Sequence, residues 1–439
     1  MEAIDGRRIT VMGLGRFGGG VGVTRWLCGQ GAEVLVTDLD PGEGLGDSLG
    51  SLEDLVRAGR VRVRLGGHEA EDFTGADLVV ANPAVPRPWE NRYLRLARES
   101  GVAITTEIGL LTERLPRRER VVGVTGTNGK STTASMVGHV LSAVGSRVVV
   151  GGNVGGTLLG RLGEIDEATW VVLELSSAML HWLEGWSPGI AVVTNVTPNH
   201  LDWHGSAAHY EASKRRIVEH QRPGDSALLG AGAEGWRLGT GVERLGADDR
   251  AEPPGLVVPG VHNVANARMA VGVARACGVG AERAWEAVAG YPGLPHRLEY
   301  VGEACGVRYY NDSKATTPEA SDLAIESVSG GRRGRVHLVA GGYDKGSALE
   351  AWARGLRDLA GVYAIGATGA RIASESGGVE AGTLGRAVAL AVERARAGDV
   401  VLLSPGCASW DQFVNFEARG EAFKRAVRDA GVLAGNNRG

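Results

Sequence analysis

The run Val121-Val-Gly-Val-Thr-Gly-Thr-Asn-Gly-Lys-Ser-Thr-Thr133 leaves a chain like this few choices. Its β-branched opening reads as a buried strand. The strand breaks into Gly126-Thr127-Asn128-Gly129-Lys130-Ser131-Thr132, after which Met136, Val137, Val140 and Leu141 recur at helical spacing. Strand, glycine loop and helix in that order make a phosphate cradle. Glycines let backbone N–H groups converge on an anion, the helix N-terminus adds partial positive charge, and a lysine reaches the outer phosphates. Ser131 or Thr132 is placed to hold Mg²⁺. The loop departs from the usual G-x-x-x-x-G-K-[ST] form, because Val124 stands where the first glycine belongs. A glycine-rich turn with no ligand would use the same residues.

The rest of the composition narrows the classes. At 439 residues the chain has room for about three domains. A net charge of −4 offers no basic excess for nucleic acid. Cys28, Cys277, Cys305 and Cys407 lie far apart without C-x-x-C spacing, as reduced thiols do. No apolar run approaches the ~20 residues of a membrane span, and the start MEAIDGRRITVMGLG lacks the shape of a signal peptide. A cytoplasmic protein with no membrane insertion is expected. Of 47 basic residues only five are lysine, namely Lys130, Lys214, Lys314, Lys345 and Lys424. Arginine replaces lysine on a solvated surface, but not where a compact ammonium or a neutral amine is needed.

Taken in order, residues 7–12 form a strand that enters Gly13-Leu-Gly-Arg-Phe-Gly18, a helical segment to about Gly29, and a second strand, Glu33–Thr37, ending at Asp38. G-x-G-x-x-G with an acid about 20 residues on is the fingerprint of a nucleotide pyrophosphate at a helix N-terminus. Residues 77–81 and 102–106 read as further parallel strands. Strand and helix signals then alternate as in a doubly wound sheet. Trp170–Leu175 carries Glu174, Gly189–Asn195 leads to His200, and Ala207–Glu219 is an amphipathic helix carrying Lys214. Ligands sit at the carboxyl ends of strands in open α/β sheets, so Lys130, Glu174 and His200 can converge although some 70 residues separate them. The spacing His200-x-x-x-His204 resembles a zinc pair, but the surrounding prolines and asparagines do not make a helix. The division expected is 1–117, a Rossmann-like domain; 118–293, a P-loop doubly wound domain; and 294–439, a further Rossmann-like α/β domain.

GTNGKST, LELSS, TNVTPNHLD, the helix with Lys214, HN-x-x-N, PHRLE, NDSKAT and SPGCASWDQFVNFEARG stand in this order between Val121 and Lys424. Together they resemble the Mur ligase family, three-domain ATP-dependent amino-acid ligases of peptidoglycan precursor synthesis. NDSKAT and the closing stretch look most like the branch that joins glutamate to UDP-N-acetylmuramoyl-L-alanine. The resemblance implies an acyl-phosphate mechanism with ATP, two Mg²⁺ ions and a monomeric, cytoplasmic enzyme, with the D enantiomer of glutamate expected. It implies Lys130, Glu174, His200 and Lys214 as the catalytic set, and Ser131, Thr132, Glu174, His200 and Lys214 around the metals. A surface lysine is the reading of Lys214 from its neighbours alone; the resemblance implies instead a carbamate, formed when its neutral amine takes up CO₂. Asn263, Asn266, Arg297 and Asp312 match positions that hold ATP, although an HN-x-x-N pair also suits helix capping. Gly13, Gly15, Arg16, Phe17, Asp38, Asn82, Asn153 and Ser176 are the candidate contacts of the UDP substrate. Lys314, Thr316, Lys345, Ser409 and Phe416 match the amino-acid pocket, with core packing the rival for Phe416.

Departures fall mainly on the UDP-substrate side: no basic residue follows Asp38, Ala81-Asn-Pro-Ala replaces Ser-Pro-Gly, and Ser177 precedes Ala-Met-Leu rather than Phe-Gln-Leu. These keep open a paralogous Mur-type or folylpolyglutamate-like ligase with another acceptor or amino acid. A simple P-loop ATPase leaves NDSKAT idle, and a dehydrogenase explains Gly13–Asp38 alone.

Overall fold

The computed structural model describes residues 4–15, 18–250, 255–344, 346 and 349–430. The chain divides into two compact units, Met1–Ala251 with Asn266–Ala287, and Glu252–Ala265 with Val288–Gly439. The division falls inside the helix Val261–Ala276, so Asn263 belongs to the second unit and Asn266 to the first.

The first unit carries two parallel sheets. One is built from β1 (Arg8–Met12), β2 (Glu33–Thr37), β3 (Val61–Arg64), β4 (Leu78–Ala81) and β5 (Ala103–Thr105) in the order β3-β2-β1-β4-β5. The other holds β6 (Val121–Thr125), β7 (Val148–Gly152), β8 (Trp170–Glu174), β9 (Ile190–Asn195), β10 (Ser226–Ala231) and β11 (Glu243–Leu245) in the order β11-β10-β9-β6-β8-β7. β1 and β6, the strands that lead into the two glycine loops, are central and wholly or almost wholly buried. Their continuous apolar runs follow from helices covering both faces of a parallel sheet. In each sheet the chain reverses its winding at this central strand, which opens a crevice beyond the carboxyl ends.

One core joins the two sheets of this unit. Leu14, Leu27 and Val36 belong to the same buried cluster as Leu158, Leu173 and Val193. The close approach is fixed at Gly22, in the helix Gly19–Gly29, where a Cβ would run into the Thr157 side chain. Trp203 Nε1 also donates to Pro83 O at 3.1 Å.

The second unit carries β12 (Glu299–Ala304), β13 (Val307–Asn311), β14 (Val336–Gly341), β15 (Gly361–Ile365), β16 (Val379–Gly382) and β17 (Val400–Leu403), ordered β12-β13-β17-β14-β15-β16. Among the described strands of this sheet only β12 pairs antiparallel. Leu338, Ala340 and Leu402 pack on one face and Val339, Val401 and Leu403 on the other, the two-residue alternation of a sheet covered on both sides.

Candidate active site

In the first unit a cavity of about 890 Å³ opens at the carboxyl ends of both sheets. Gly13, Gly15, Asn82, Gly126, Lys130, Asn153, Ser176, His200 and Lys214 all line it.

The loop after β6 is held open by side chains from β9. Thr194 Oγ1 donates to Asn128 O at 2.6 Å, and Asn195 Oδ1 accepts from Asn128 N at 3.0 Å. Thr127 N donates to Asn195 O, and Thr127 Oγ1 lies 3.0 Å from the Tyr210 hydroxyl. Gly126 has φ +151° and a Cβ there would run into Thr194 Oγ1; Gly129 has φ +78° and a Cβ there would lie 2.5 Å from Asn266 Oδ1. Glycine is therefore required at both. Gly129 caps the helix Lys130–Ala143, whose first turn holds Ser131 and Thr132, both half-buried. Lys130 Nζ donates to Thr127 O at 2.8 Å.

Lys214 is 1% exposed, so it is no surface lysine. Its Nζ donates to Gly126 O at 2.6 Å and to Thr125 Oγ1 at 3.3 Å, and lies 4.7 Å from the Tyr210 ring centre. Burial first, and then the charge of Lys130, pull its amine down to about 7, while Glu174 acts the other way. Glu174 is also 1% exposed. Its Oε1 accepts from Asn153 Nδ2 at 2.9 Å, whereas Oε2 is buried without a hydrogen-bond partner among the described residues. A buried carboxylate oxygen left unpaired costs about 1–3 kcal/mol or more and marks a place for a cation. His200 begins the short helix Leu201–His204 in a left-handed conformation, φ +50°. Ser176 caps the helix Ser177–Trp182 by accepting from Met179 N.

Around the first glycine loop, Asn82 Nδ2 donates to Gly13 O at 3.2 Å and its Oδ1 accepts from Ala84 N. Asp38 turns into the loop: its Oδ2 accepts from Leu14 N at 2.8 Å and Gly15 N at 3.2 Å, and its Oδ1 accepts from Asp40 N. Arg16 and Phe17 lie outside the described residues.

Asn266, assigned to the nucleotide with Asn263, stands by Gly129 and accepts from Thr133 Oγ1 at 3.3 Å. In the second unit Asn263 Nδ2 donates to Pro259 O at 2.7 Å, close to the start of its helix. Asp312 is 8% exposed; Oδ2 accepts from Ser404 Oγ at 2.8 Å and Oδ1 from Leu298 N at 3.1 Å. Burial raises its carboxyl to about 7 against these hydrogen bonds and the Arg297 charge. Lys314 is exposed, with Nζ 3.9 Å from the Phe416 ring centre; burial and the Arg297 charge both lower its amine. Phe416 is half-buried and edge-on to His296, Thr316 is half-buried, and Ser409 is 2% exposed. Lys345 lies outside the described residues.

Arg419 escaped the reading of the sequence, as did the contacts of His204, which was weighed there only as a zinc ligand. Arg419 is 1% exposed and donates to Ser313 Oγ, Ser313 O and Cys407 O, tying NDSKAT to SPGCAS. His204 Nε2 meets Ser177 Oγ at 2.9 Å while its Nδ1 meets His209 Nδ1 at 2.9 Å. The motifs EARG and HLDWH contained them, but a solvated arginine and a buried one look alike in sequence.

Comparison with known proteins identifies the family. Residues 124–238 match the model of the Mur ligase middle domain, and residues 296–407 match that of the Mur ligase glutamate ligase domain. The chain is 38% identical to a UDP-N-acetylmuramoylalanine–D-glutamate ligase of Koribacter versatilis, covering 97% of this chain and 98% of that one. It is 36% identical to the enzyme of the same name from Geobacter metallireducens, over 98% and 99%. Among solved structures, UDP-N-acetylmuramate–alanine ligase from Thermotoga maritima superimposes with TM-score 0.55 at 19% identity, covering 97% of this chain and all of that one. Full-length likeness of this degree to two named ligases, with both domain models in place, settles the kinship: the chain belongs to the Mur ligase family.

Proposed function

We propose that this protein is an ATP-dependent ligase that joins D-glutamate to UDP-N-acetylmuramoyl-L-alanine in cytoplasmic peptidoglycan precursor synthesis. Its family membership and the names of its full-length relatives support the reaction. The observation that carries the site is one cavity lined by Lys130, His200 and Lys214 together with Gly13, Gly15, Asn82, Asn153 and Ser176, with Glu174 behind it on Asn153 Nδ2. The proposed division is 1–117, 118–293 and 294–439, each range holding one of the three sheets, although the compact units assign 252–265 and 288–293 to the second unit. No helix among the described residues is long and apolar enough to cross a membrane.

The residues present fit ATP and Mg²⁺. A glycine loop that admits no side chain, and a buried Glu174 oxygen without a hydrogen-bond partner among the described residues, suit a phosphate and a cation. Among the described residues no group of three or more His, Cys, Asp and Glu is arranged for a metal. Hard donors other than these, such as hydroxyl, phosphate and carbamate oxygens, then have to complete a shell around Glu174 and His200, as Mg²⁺ prefers. Ser131, Thr132, Glu174, His200 and carbamylated Lys214 would hold the ions. ATP with Mg²⁺ would supply the chemistry of activation: its γ-phosphoryl would pass to the acceptor carboxylate as ADP leaves, and the amino acid's amine would then attack the acyl carbon, losing a proton and expelling phosphate.

The protein's own part is positioning and charge. Lys130 sets a cation at a helix N-terminus, where phosphoryl charge is best stabilised. Lys214, buried and with its amine lowered to about 7, has neutral amine available to take up CO₂. Asn153 orients Glu174. On the second unit, Asn263, Arg297 and Asp312 serve the nucleotide, as Asn266 does on the first. Lys314, Thr316, Lys345, Ser409 and Phe416 are the residues assigned to a dicarboxylic amino acid, Lys314 and Lys345 pairing with its carboxylates and Ser409 hydrogen-bonding one of them. Because Ala178 and Met179 line the cavity in place of Phe-Gln, a paralogue using a modified acceptor is the second reading.

The test is ADP formation with ATP, UDP-N-acetylmuramoyl-L-alanine and a panel of amino acids. D-glutamate is expected to be required. ATP hydrolysis without any amino acid would replace the ligase by a simple ATPase, and a response to another acceptor would favour the paralogue. Full activity of Lys214→Arg would remove the carbamate.

A further inference from the structure

A second cavity, of about 790 Å³, lies in the first unit beside the amino ends of β4 and β5. Nothing in the proposed reaction uses it. Its wall includes β5, whose outer edge pairs with no strand among the described residues and so presents backbone donors and acceptors. Arg7, Arg98 and Arg114 line it, with Arg98 5.9 Å from the Trp182 ring centre. The acids that also line it, Glu113 and Glu184, have side chains 60% and 81% exposed, while that of Arg114 is 16% exposed. Arg114 is held by Leu110 O at 2.9 Å and by Glu113 at 3.5 Å, and Arg7 donates to Asp77 O at 2.6 Å, so Arg98 is the cation this wall offers a ligand. Trp182 Nε1 and His181 Nδ1 are buried there without a hydrogen-bond partner among the described residues. An indole N–H can only donate, so it calls for an acceptor.

The same elements that line this cavity also line the proposed substrate cavity. In the helix Ser177–Trp182 and its flanks, Ser176 to Met179 face the substrate cavity and His181 to Glu184 the second one. The helix Glu107–Thr112 puts Glu107 in the first and Gly109, Leu110 and Thr112 in the second. β4 does likewise with Ala81 and Leu78. A six-residue helix is about 9 Å long, which spans from one cavity to the other.

We propose that this cavity is an effector site for a small anion carried on a planar apolar body. Carboxylate or phosphate oxygens accept from Trp182 Nε1 and pair with Arg98, and the body lies against Trp182 and Trp186. Occupancy shifts the two short helices and so alters affinity for the UDP substrate, a coupling that rests on the reading of the substrate cavity above.

Isothermal titration of the full chain with naphthalene-2-carboxylate, 1-naphthyl phosphate, neutral 2-naphthamide and inorganic phosphate tests this. Saturable binding of one or both naphthyl anions is expected, weakened about tenfold by Arg98→Ala and by less in Trp182→Phe. The bound anion is expected to change the KM for the UDP substrate about threefold or more in wild type and not in Arg98→Ala. No saturable heat up to about 5 mM, or equal binding of the amide, overturns the site. Binding with an unchanged KM overturns the coupling. Because the titration needs neither ATP nor amino acid, failure of the ligase reaction and failure of this site are read separately.

Discussion

Two glycine loops in the first unit share one grammar and end in opposite electrostatics. Each follows a central buried strand, and each closes with a left-handed glycine at a helix N-cap, Gly18 at φ +82° and Gly129 at φ +78°. In the first loop the converging N–H groups of Leu14 and Gly15 already meet an anion, the Asp38 carboxylate. In the second, two lysines sit at the loop: Lys130 reaches Thr127 O and Lys214 reaches Gly126 O. One loop is closed on its own carboxylate; the other collects positive charge around an open crevice. A nest of backbone N–H groups is thus an anion site only if the chain has not supplied the anion itself.

If that contrast is right, Lys130→Ala produces the largest effect. Loss of a preorganised cation from a phosphoryl-transfer site is expected to lower kcat by about 10²–10³-fold. Steady-state ADP formation measures it, and a change smaller than tenfold would put the charge elsewhere.

A matched pair of glycines sharpens the same point. At Gly18 an added Cβ meets no heavy atom within 4 Å, so Gly18→Ala suffers only the left-handed backbone, about 1–2 kcal/mol. At Gly129 the same strain is joined by collision with Asn266 Oδ1. Gly129→Ala is expected to weaken ATP binding at least tenfold while Gly18→Ala leaves it unchanged, read by nucleotide titration. Equal effects would dissolve the distinction between the loops.

Much of this was legible because the motifs sit where strand pattern and helix pattern meet. Strand Glu33–Thr37 and helix Ala207–Glu219 fall where alternation and amphipathicity put them. The meeting of Lys130 and His200 on one cavity, with Glu174 bonded to Asn153 in its wall, follows from the rule for carboxyl ends of parallel strands. Lys214 is different. Ser-Lys-Arg-Arg reads as solvated surface, and only the fold shows that the turn of the helix carries Lys214 inward while Arg215 stays exposed. Asp38 was legible as an acid at a strand end but not as the loop's own counterion, because sequence spacing says nothing about which way a carboxylate turns. Arg419 was invisible for a related reason: its partners are the carbonyls Ser313 O and Cys407 O and the Ser313 hydroxyl, supplied by loops about 100 residues and 12 residues away.

Asp38→Ala addresses the closed loop directly. It removes the acceptor of two N–H groups, Leu14 and Gly15, and of Asp40 N. Leaving buried donors unmet is expected to destabilise the first unit by about 1–3 kcal/mol. The thermal midpoint should fall, and added phosphate should restore part of it by filling the vacated nest. A midpoint unchanged by the substitution would mean that the loop does not depend on its carboxylate.

The smallest effect comes from setting Asp38 beside Asp312, since both are acids just past the end of a strand. Asp38 is half-buried and accepts three backbone N–H groups. Asp312 is 8% exposed and accepts one backbone N–H and one hydroxyl, and burial raises its carboxyl to about 7. Between the ordinary carboxyl value of 3.8 and about 7, the folded state keeps a proton that the unfolded state has lost. The contribution of Asp312 to stability is therefore full below about pH 4 and is lost as pH rises through about 7. Asp312→Asn keeps the shape and cannot ionise. Its thermal midpoint relative to wild type is expected to rise by the order of a few °C between pH 5 and pH 8. Parallel melting curves across that range would show that Asp312 ionises as freely in the fold as outside it, and burial alone would then not separate the two acids.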